Sequence, residues 1–418
     1  MTTKMNTSTS RRTVLAGAAT AALATGLPRR SAGAKPIKIG YVSPETGPLA
    51  PFGAADKFVI GALAPLLAAK GITVEVRDSQ SDPNRAATVA NNLINDGISL
   101  MLVSSTPETT NPVSDQCELA GVPCVSTVSP WQAWFFNRGG KPGTGFAYTY
   151  HFFWGLEDVI AVYTGMWNQL TTNKTVGGLF PNDGDGNAWS DPVHGFPPAL
   201  TAQHFKLINP GHFQDLSSDF SSQINSFKSA DAEIVTGVVI PPDFATFWTQ
   251  AKQQGFRPKI ATIGKALLFP ETLNALGTQG NNLSTEVWWG PHHPFTSSLT
   301  GQSAQALASA YTAATGKQWT QPIGFAHALF EIAVNVLGRA SDPTDHDKVL
   351  AALVSTNLAT IVGPIAWGAG PVKNVAKTPL VGGQWRLTPG GPYQYDLVIT
   401  ENALAPKIPV AGKMDYLA

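Results

Sequence analysis

The chain has 418 residues with 28 Lys and Arg against 28 Asp and Glu, a formal net charge of zero. Residues 1–34 carry five basic side chains (Lys4, Arg11, Arg12, Arg29, Arg30) and no acid, so the rest holds 23 basic against 28 acidic groups, a net of −5. A mildly acidic body lacks the clustered Lys and Arg that bind phosphate, which excludes nucleic acid and anionic lipid as partners, and 43% hydrophobic residues exclude wholesale disorder.

The first segment reads as an export address. A polar start leads to Ser10-Arg11-Arg12-Thr13-Val14-Leu15, then an Ala-rich run to Leu27, and Ala32-Gly33-Ala34 offers small residues for cleavage after Ala34. The paired arginines point to the twin-arginine route. The apolar run is about 14 residues, short of the ~20 that span a bilayer, and no later segment is expected to span. The mature protein is expected in the periplasm. There Cys117 and Cys124 admit either a disulfide or two buried free thiols.

The body alternates strands and helices. Ile37–Val42 reads as a strand, followed by a Gly/Pro-rich loop, an apolar helix to Leu67 and a strand at Val74–Val76. Asp82-Pro83 opens a helix whose stripe is Ala86, Ala87, Ala90, Leu93 and Ile94, ended by Gly97. Strand Ser99–Val103, a helix from Asn111 and strand Val122–Ser126 follow. The rhythm restarts with helix Glu157–Leu170, strand Thr175–Phe180, a helix around Ile224 and strand Ile234–Ile240. A helix opened by Pro242 and strand Lys259–Ile263 continue it, with helices near 302–315 and 324–338 and a strand near 393–399. Short apolar strands between amphipathic helices imply an α/β protein of two parallel-sheet units. Ligands of such sheets sit beyond the carboxyl ends of the strands. The loops to watch are therefore Ser43–Gly53, Ser104–Thr110, Thr127–Trp134, Asn182–Trp189, Pro241–Asp243 and Gly264–Leu268.

Several motifs invite chemistry and fall short of it. The run from Asn182 to Asn187 resembles a calcium loop, but counted from Asp183 its sixth and twelfth positions are Ala188 and His194, not Gly and Glu; it reads as a turn at the cleft edge. Pro291-His292-His293-Pro294 lacks a third ligand at suitable spacing, and Gly140–Gly145 lacks the Lys-Ser/Thr ending of a phosphate loop. No nucleophile–base pair is evident, so no catalytic residue, metal or cofactor is expected. Trp288-Trp289 reads as core packing ahead of a pair of hinge aromatics.

The ordered set of motifs resembles the type I periplasmic substrate-binding proteins of ABC transporters, specifically the branched-chain amino acid (Leu/Ile/Val) receptors. Ile39 to Gly53 is similar to that family's opening strand and loop. Asp78 to Pro83, Asn95-Asp96-Gly97, Asn111 to Ser114, Ala120 to Pro123, Asp219-Phe220, Ala251 to Gly255, Tyr311 to Lys317 and Gly363-Pro364-Ile365 continue it. The resemblance implies a clamshell of two lobes, each a parallel sheet flanked by helices, with three hinge crossovers near 150–154, 287–293 and 363–368. The lobes would comprise 35–151 with 290–364, and 152–289 with 365–418. It implies no enzymatic activity, a monomer, and delivery of ligand to ABC transporter permease subunits. Carried over by position, the ligand-binding residues would be Phe52, Glu108, Thr109, Ser129, Trp131, Trp189 and Pro241.

The chain departs from the family at the ammonium site. The family's acid follows the glycine matching Gly264, whereas this sequence reads Gly264-Lys265-Ala266. A buried ammonium needs a paired carboxylate, so either Asp243 or Glu45 replaces that acid or the ligand lacks an ammonium. With Phe52, Trp131, Trp134 and Trp189 at hand, an apolar or aromatic carboxylate held by Lys265 is the first expectation, and an aliphatic amino acid the second. A ligand-sensing module for a membrane receptor would use the same clamshell.

Overall fold

A computed structural model describes residues 36–417; the expected export segment at 1–34 lies outside them. The strands are Ile37–Ser43 (β1), Ile72–Asp78 (β2), Leu100–Ser104 (β3), Cys124–Thr127 (β4) and Thr149–Phe152 (β5). They continue with Thr175–Leu179 (β6), Lys206–Ile208 (β7), Ile234–Val239 (β8), Ile260–Lys265 (β9) and Ser284–Val287 (β10). Asn357–Thr360 (β11) and Gly363–Ala366 (β12) form a hairpin, and Val375–Ala376 (β13), Val381–Leu387 (β14) and Tyr395–Glu401 (β15) complete the set.

Two sheets result. The first has the order β13-β5-β4-β3-β1-β2 and is parallel throughout. The second has the order β15-β14-β10-β9-β8-β6-β7, parallel from β10 to β7 with β14 and β15 antiparallel at the edge. Every residue of β3 and β8 is buried, as expected for central strands covered by helices on both faces. Asp82 caps the helix Pro83–Asn95 by accepting from the Arg85 N–H at 2.7 Å. Ala86, Val89, Ala90 and Leu93 face the core. The next helix, Pro107–Ala120, starts four residues before the expected Asn111, because extended Thr106 is its N-cap and Pro107 takes the first helical position. That earlier start lifts Glu108 and Thr109 out of a loop and into a first helical turn.

The chain passes between sheets three times. It leaves β5 through Phe153–Gly155 into the helix Leu156–Trp167, which packs on β10, β14 and β15. It returns after β10 toward the helix Pro322–Arg339, which packs on β3 and β4. The third passage corrects the expectation of 363–368 and a boundary at 364. β13 pairs in parallel with β5, Val375 opposite His151 and Ala376 opposite Phe152, so the chain stays with the first sheet until 376 and crosses at 377–380. A two-residue strand carries no periodicity, and the β11–β12 hairpin has the turn chemistry expected of a crossing. Lys377, in this passage, bonds Glu157 and Asp158 at 2.7 Å each and so ties the third crossing to the first.

The stretch Ala50–Ala69 is, against expectation, long and apolar enough to cross a membrane by length and composition. Here it turns Val59, Leu63 and Leu67 into the core beside the first sheet. Cys117 and Cys124 are buried free thiols; burial, and then the neighbouring Cys124, push the Cys117 thiol well above the usual range.

Candidate functional site

The carboxyl ends of both sheets converge on one cleft, and the two lobes touch across it. The Phe52 ring meets the Phe269 ring edge-on at 5.0 Å. Glu108 Oε1 accepts from the Gly184 N–H at 2.9 Å. Between these contacts lies a narrow cavity of about 20 Å³. The first lobe lines it with Phe52, Thr106, Val128, Pro130, Phe153 and Trp154; the second adds Asp185, Trp189, Val238, Lys265, Leu268, Glu286 and Trp288. Five of the six expected loops contribute. The sixth does not: Pro241 opens onto a separate groove with Glu45, Phe269 and Lys317. Asp243 Oδ2 is taken by the Leu216 N–H at 3.0 Å, and burial raises its carboxyl to about 6.

Two residues on opposite walls hold backbone conformations that L side chains avoid. Val128 has φ +68° and Lys265 φ +59°, ψ −71°. A β-branched residue at positive φ is a steric outlier, and such strain persists only where surroundings enforce it. On the Val128 side the enforcement includes buried His151, whose Nε2 lies 2.7 Å from the Ser129 carbonyl and Nδ1 2.8 Å from the Ser126 hydroxyl. A carbonyl only accepts, so Nε2 carries the proton and Nδ1 takes the serine hydroxyl. Burial lowers the pKa of His151 to about 3, so the ring is neutral.

The Lys265 side is electrostatic. Its ammonium is 4% exposed and lies 2.6 Å from Asp183 Oδ2, 3.0 Å from Asp185 Oδ2 and 3.9 Å from Glu108 Oε2. Burial alone would lower its pKa, but the Asp183, Asp185 and Glu108 charges hold it well above the usual range. Burial raises both aspartates despite Lys265, and for Asp185 the Glu108 and Asp183 charges add to the rise. Lys265 lines the cavity as expected, but three carboxylates already surround its charge. The loop first set aside as a turn brings the aspartates there. Asp183 caps the short helix Gly184–Trp189 through the Gly186 N–H, and a Cβ at Gly186 would lie 2.0 Å from the Pro181 carbonyl. Only glycine permits that tight approach.

The other expected residues divide. Phe52 and Trp189 line the cavity, Trp189 stacked on Phe196 with centroids 5.0 Å apart. Thr109 turns away and donates to Ser105 Oγ at 2.7 Å; Thr106, one turn earlier, takes its place. Ser129 is buried without lining the cavity, between Val128 and Pro130, which do. Trp131 and Trp134 fall in a satellite core with Phe135 and Val375. The Trp131 indole donates to Glu157 at 3.2 Å, while Trp134 stacks on His151 and carries the Arg138 guanidinium over its face. Trp154 and Glu286 were missed, and Trp288 both packs in the core against Phe153 and Phe325, as read, and lines the cavity. Its neighbour Trp289 lies on Trp319 instead. Glu286 is buried, and its carboxyl is raised to about 7 by burial, against the Tyr163 hydroxyl that donates to it. Among the described residues no group of three or more His, Cys, Asp or Glu side chains is arranged to hold a metal ion.

The profile of a periplasmic binding protein family matches residues 36–390. The chain belongs to this family. Solved structures share its fold at low identity. LivJ of Streptococcus pneumoniae, a branched-chain amino acid transporter substrate-binding protein in complex with isoleucine, is 16% identical, with a TM-score of 0.69 over 87% of this chain and 100% of that one. A solute-binding protein from R. palustris in complex with 4-hydroxybenzoate is 15% identical, with a TM-score of 0.70 over 87% and 95%. A fatty acid ABC transporter substrate-binding protein from Thermomonospora curvata is 16% identical, with a TM-score of 0.69 over 90% and 95%. No protein of curated function matches the chain.

Proposed function

We propose that this protein is an exported solute receptor of an ABC importer, which closes its lobes over a small, largely apolar or aromatic solute and presents it to permease subunits. The observation that carries the reading is the interlobe cavity, walled by Phe52, Phe153 and Trp154 from one side and Trp189, Leu268 and Trp288 from the other. A ligand there touches both lobes at once, which is how binding energy favours a closed form. Stacking on aromatic faces supplies much of the affinity for a flat or apolar solute. Family membership and the basic leader at 1–34 support export and transport. The ligands of the structural relatives, isoleucine, a hydroxybenzoate and a fatty acid, support the general size and apolar character. Lys265 reaches the cavity with its charge already shared among Asp183, Asp185 and Glu108.

Tryptophan fluorescence titration of the purified protein against amino acids, aromatic acids and amines tests the reading. Binding of one class with micromolar affinity or better is expected. A protein that binds none of them, while the adjacent permease still transports in its absence, would refute it.

A further inference from the structure

We infer that the Glu108 carboxylate is a built-in latch. It holds the two lobes together across the cleft mouth through protein contacts alone, so the cleft closes without a solute and must unlatch to admit one.

Glu108 stands in the first turn of the helix Pro107–Ala120 on the first lobe, yet its carboxylate reaches the second. Oε1 accepts from the Gly184 N–H at 2.9 Å, and Oε2 lies 3.9 Å from the Lys265 ammonium. Gly184 opens its own helix, where a first-turn N–H has no acceptor within the helix; the opposite lobe supplies one. Charge acts in the same direction. Burial pushes the Glu108 carboxyl up, but Lys265 first and hydrogen bonds second bring it below the usual range. Asp183 and Asp185 are instead raised to about 6 and about 8. The carboxylate most firmly ionised beside Lys265 therefore comes from the other lobe, and their attraction draws the lobes together.

Gly184 points the same way independently. Its backbone is not at positive φ, so its own helix does not call for glycine. A Cβ there would lie 3.1 Å from both Glu108 Oε1 and Pro107 Cβ and 3.5 Å from Asn137 Nδ2, all on the first lobe. The missing side chain thus serves the approach of the lobes. The seam continues outward, where the Asn137 amide reaches the Gly184 carbonyl at 3.5 Å and the Phe136 ring stacks on His194 with centroids 5.7 Å apart. Drawn together this far, the cleft keeps a cavity of about 20 Å³, room for about one water molecule. Pockets for small solutes run to roughly 300–1,000 Å³, so a solute enters after the latch parts.

The test uses protein freed of bound solutes by unfolding in guanidinium and refolding, followed by small-angle X-ray scattering and amide hydrogen exchange. Wild-type scattering is expected to match the closed structure. Glu108→Ala leaves Lys265 paired with Asp183 and Asp185 in its own lobe. It is expected to scatter with a larger radius of gyration and to exchange the Gly184 amide at least about tenfold faster, with β3 and β8 as protected as in wild type. Gly184→Val, a wedge in the seam, is expected to open the cleft with Glu108 still present. A solute-free wild type that scatters as an open form overturns the inference, and so does either variant remaining as compact as wild type. Protection lost throughout β3 and β8 in Glu108→Ala would make Glu108 a support of the lobes themselves and overturns it as well. No solute enters these readouts, so each of these results leaves the receptor reading to the fluorescence titration.

Discussion

Replacing Lys265 with Met removes the one cation among buried acids while keeping most of the side-chain volume. Asp183, Asp185 and Glu108 then face one another with nothing between them, the first two almost wholly buried. Breaking a buried ion pair by deleting one partner costs about 3–5 kcal/mol, because the remaining charge is left uncompensated. The chain has a partial remedy. Without the lysine the carboxyls rise further, and each can take up a proton at a saving of about 1.4 kcal/mol for every pH unit below its raised pKa. The deficit should therefore be largest near pH 8, on the order of 4 kcal/mol, and shrink by a few kcal/mol toward pH 5. Urea denaturation of wild type and Lys265→Met at both pH values, compared at constant slope, measures it. A deficit under about 1 kcal/mol, or one equal at both pH values, would refute the account of Lys265 as a buried structural cation.

Asp56 offers a titration of opposite sense. Burial raises its carboxyl to about 7, so its stabilising proton is fully held below about pH 4 and lost as pH rises through about 7; Asp56→Asn should gain on wild type by a few kcal/mol from pH 5 to pH 8, and a pH-independent difference would contradict this. His151, lowered to about 3 by burial, should show ring proton resonances that do not move between pH 5 and 8; a midpoint near 6.5 would place the ring in solvent. Trp131→Phe should leave affinity for the bound solute within about threefold, whereas Trp189→Ala should lower it at least tenfold, and the opposite ranking would return Trp131 to the cavity wall.

The α/β alternation, the two units and most of the cleft loops were legible in the sequence because each strand is an apolar run and each helix carries its own start and stop. The Asp82-Pro83 opening and the Gly97 ending are local signals, and the structure uses both. What escaped depends on contacts distant in sequence. β13 is two residues long and becomes a strand only by lying against β5 more than 220 positions earlier. Lys265 was placed at the cavity, but its charge partners were not read, because the two nearest, Asp183 and Asp185, lie about 80 residues upstream on a loop that looks like an ordinary turn. The Asp-Gly-Asp-Gly spacing of that loop was the available signal. It resembled a cation site, and the cation it serves is a lysine ammonium. Trp131 and Trp134 were drawn into a satellite core by Phe135 and Val375, while Trp288, read as packing, also lines the cavity. Aromatic residues on adjacent positions face different ways, and composition does not say which way is inward.

The central claim is that solute binds between the lobes. The most direct measurement is a crystal structure of the protein recovered from its host with whatever small molecule it retains, or soaked with the tightest binder found by the fluorescence titration. The account predicts ligand density in the cavity between Phe52, Trp189 and Trp288, in contact with both lobes. Density in the separate groove lined by Glu45, Pro241 and Lys317, with the interlobe cavity empty, would contradict it.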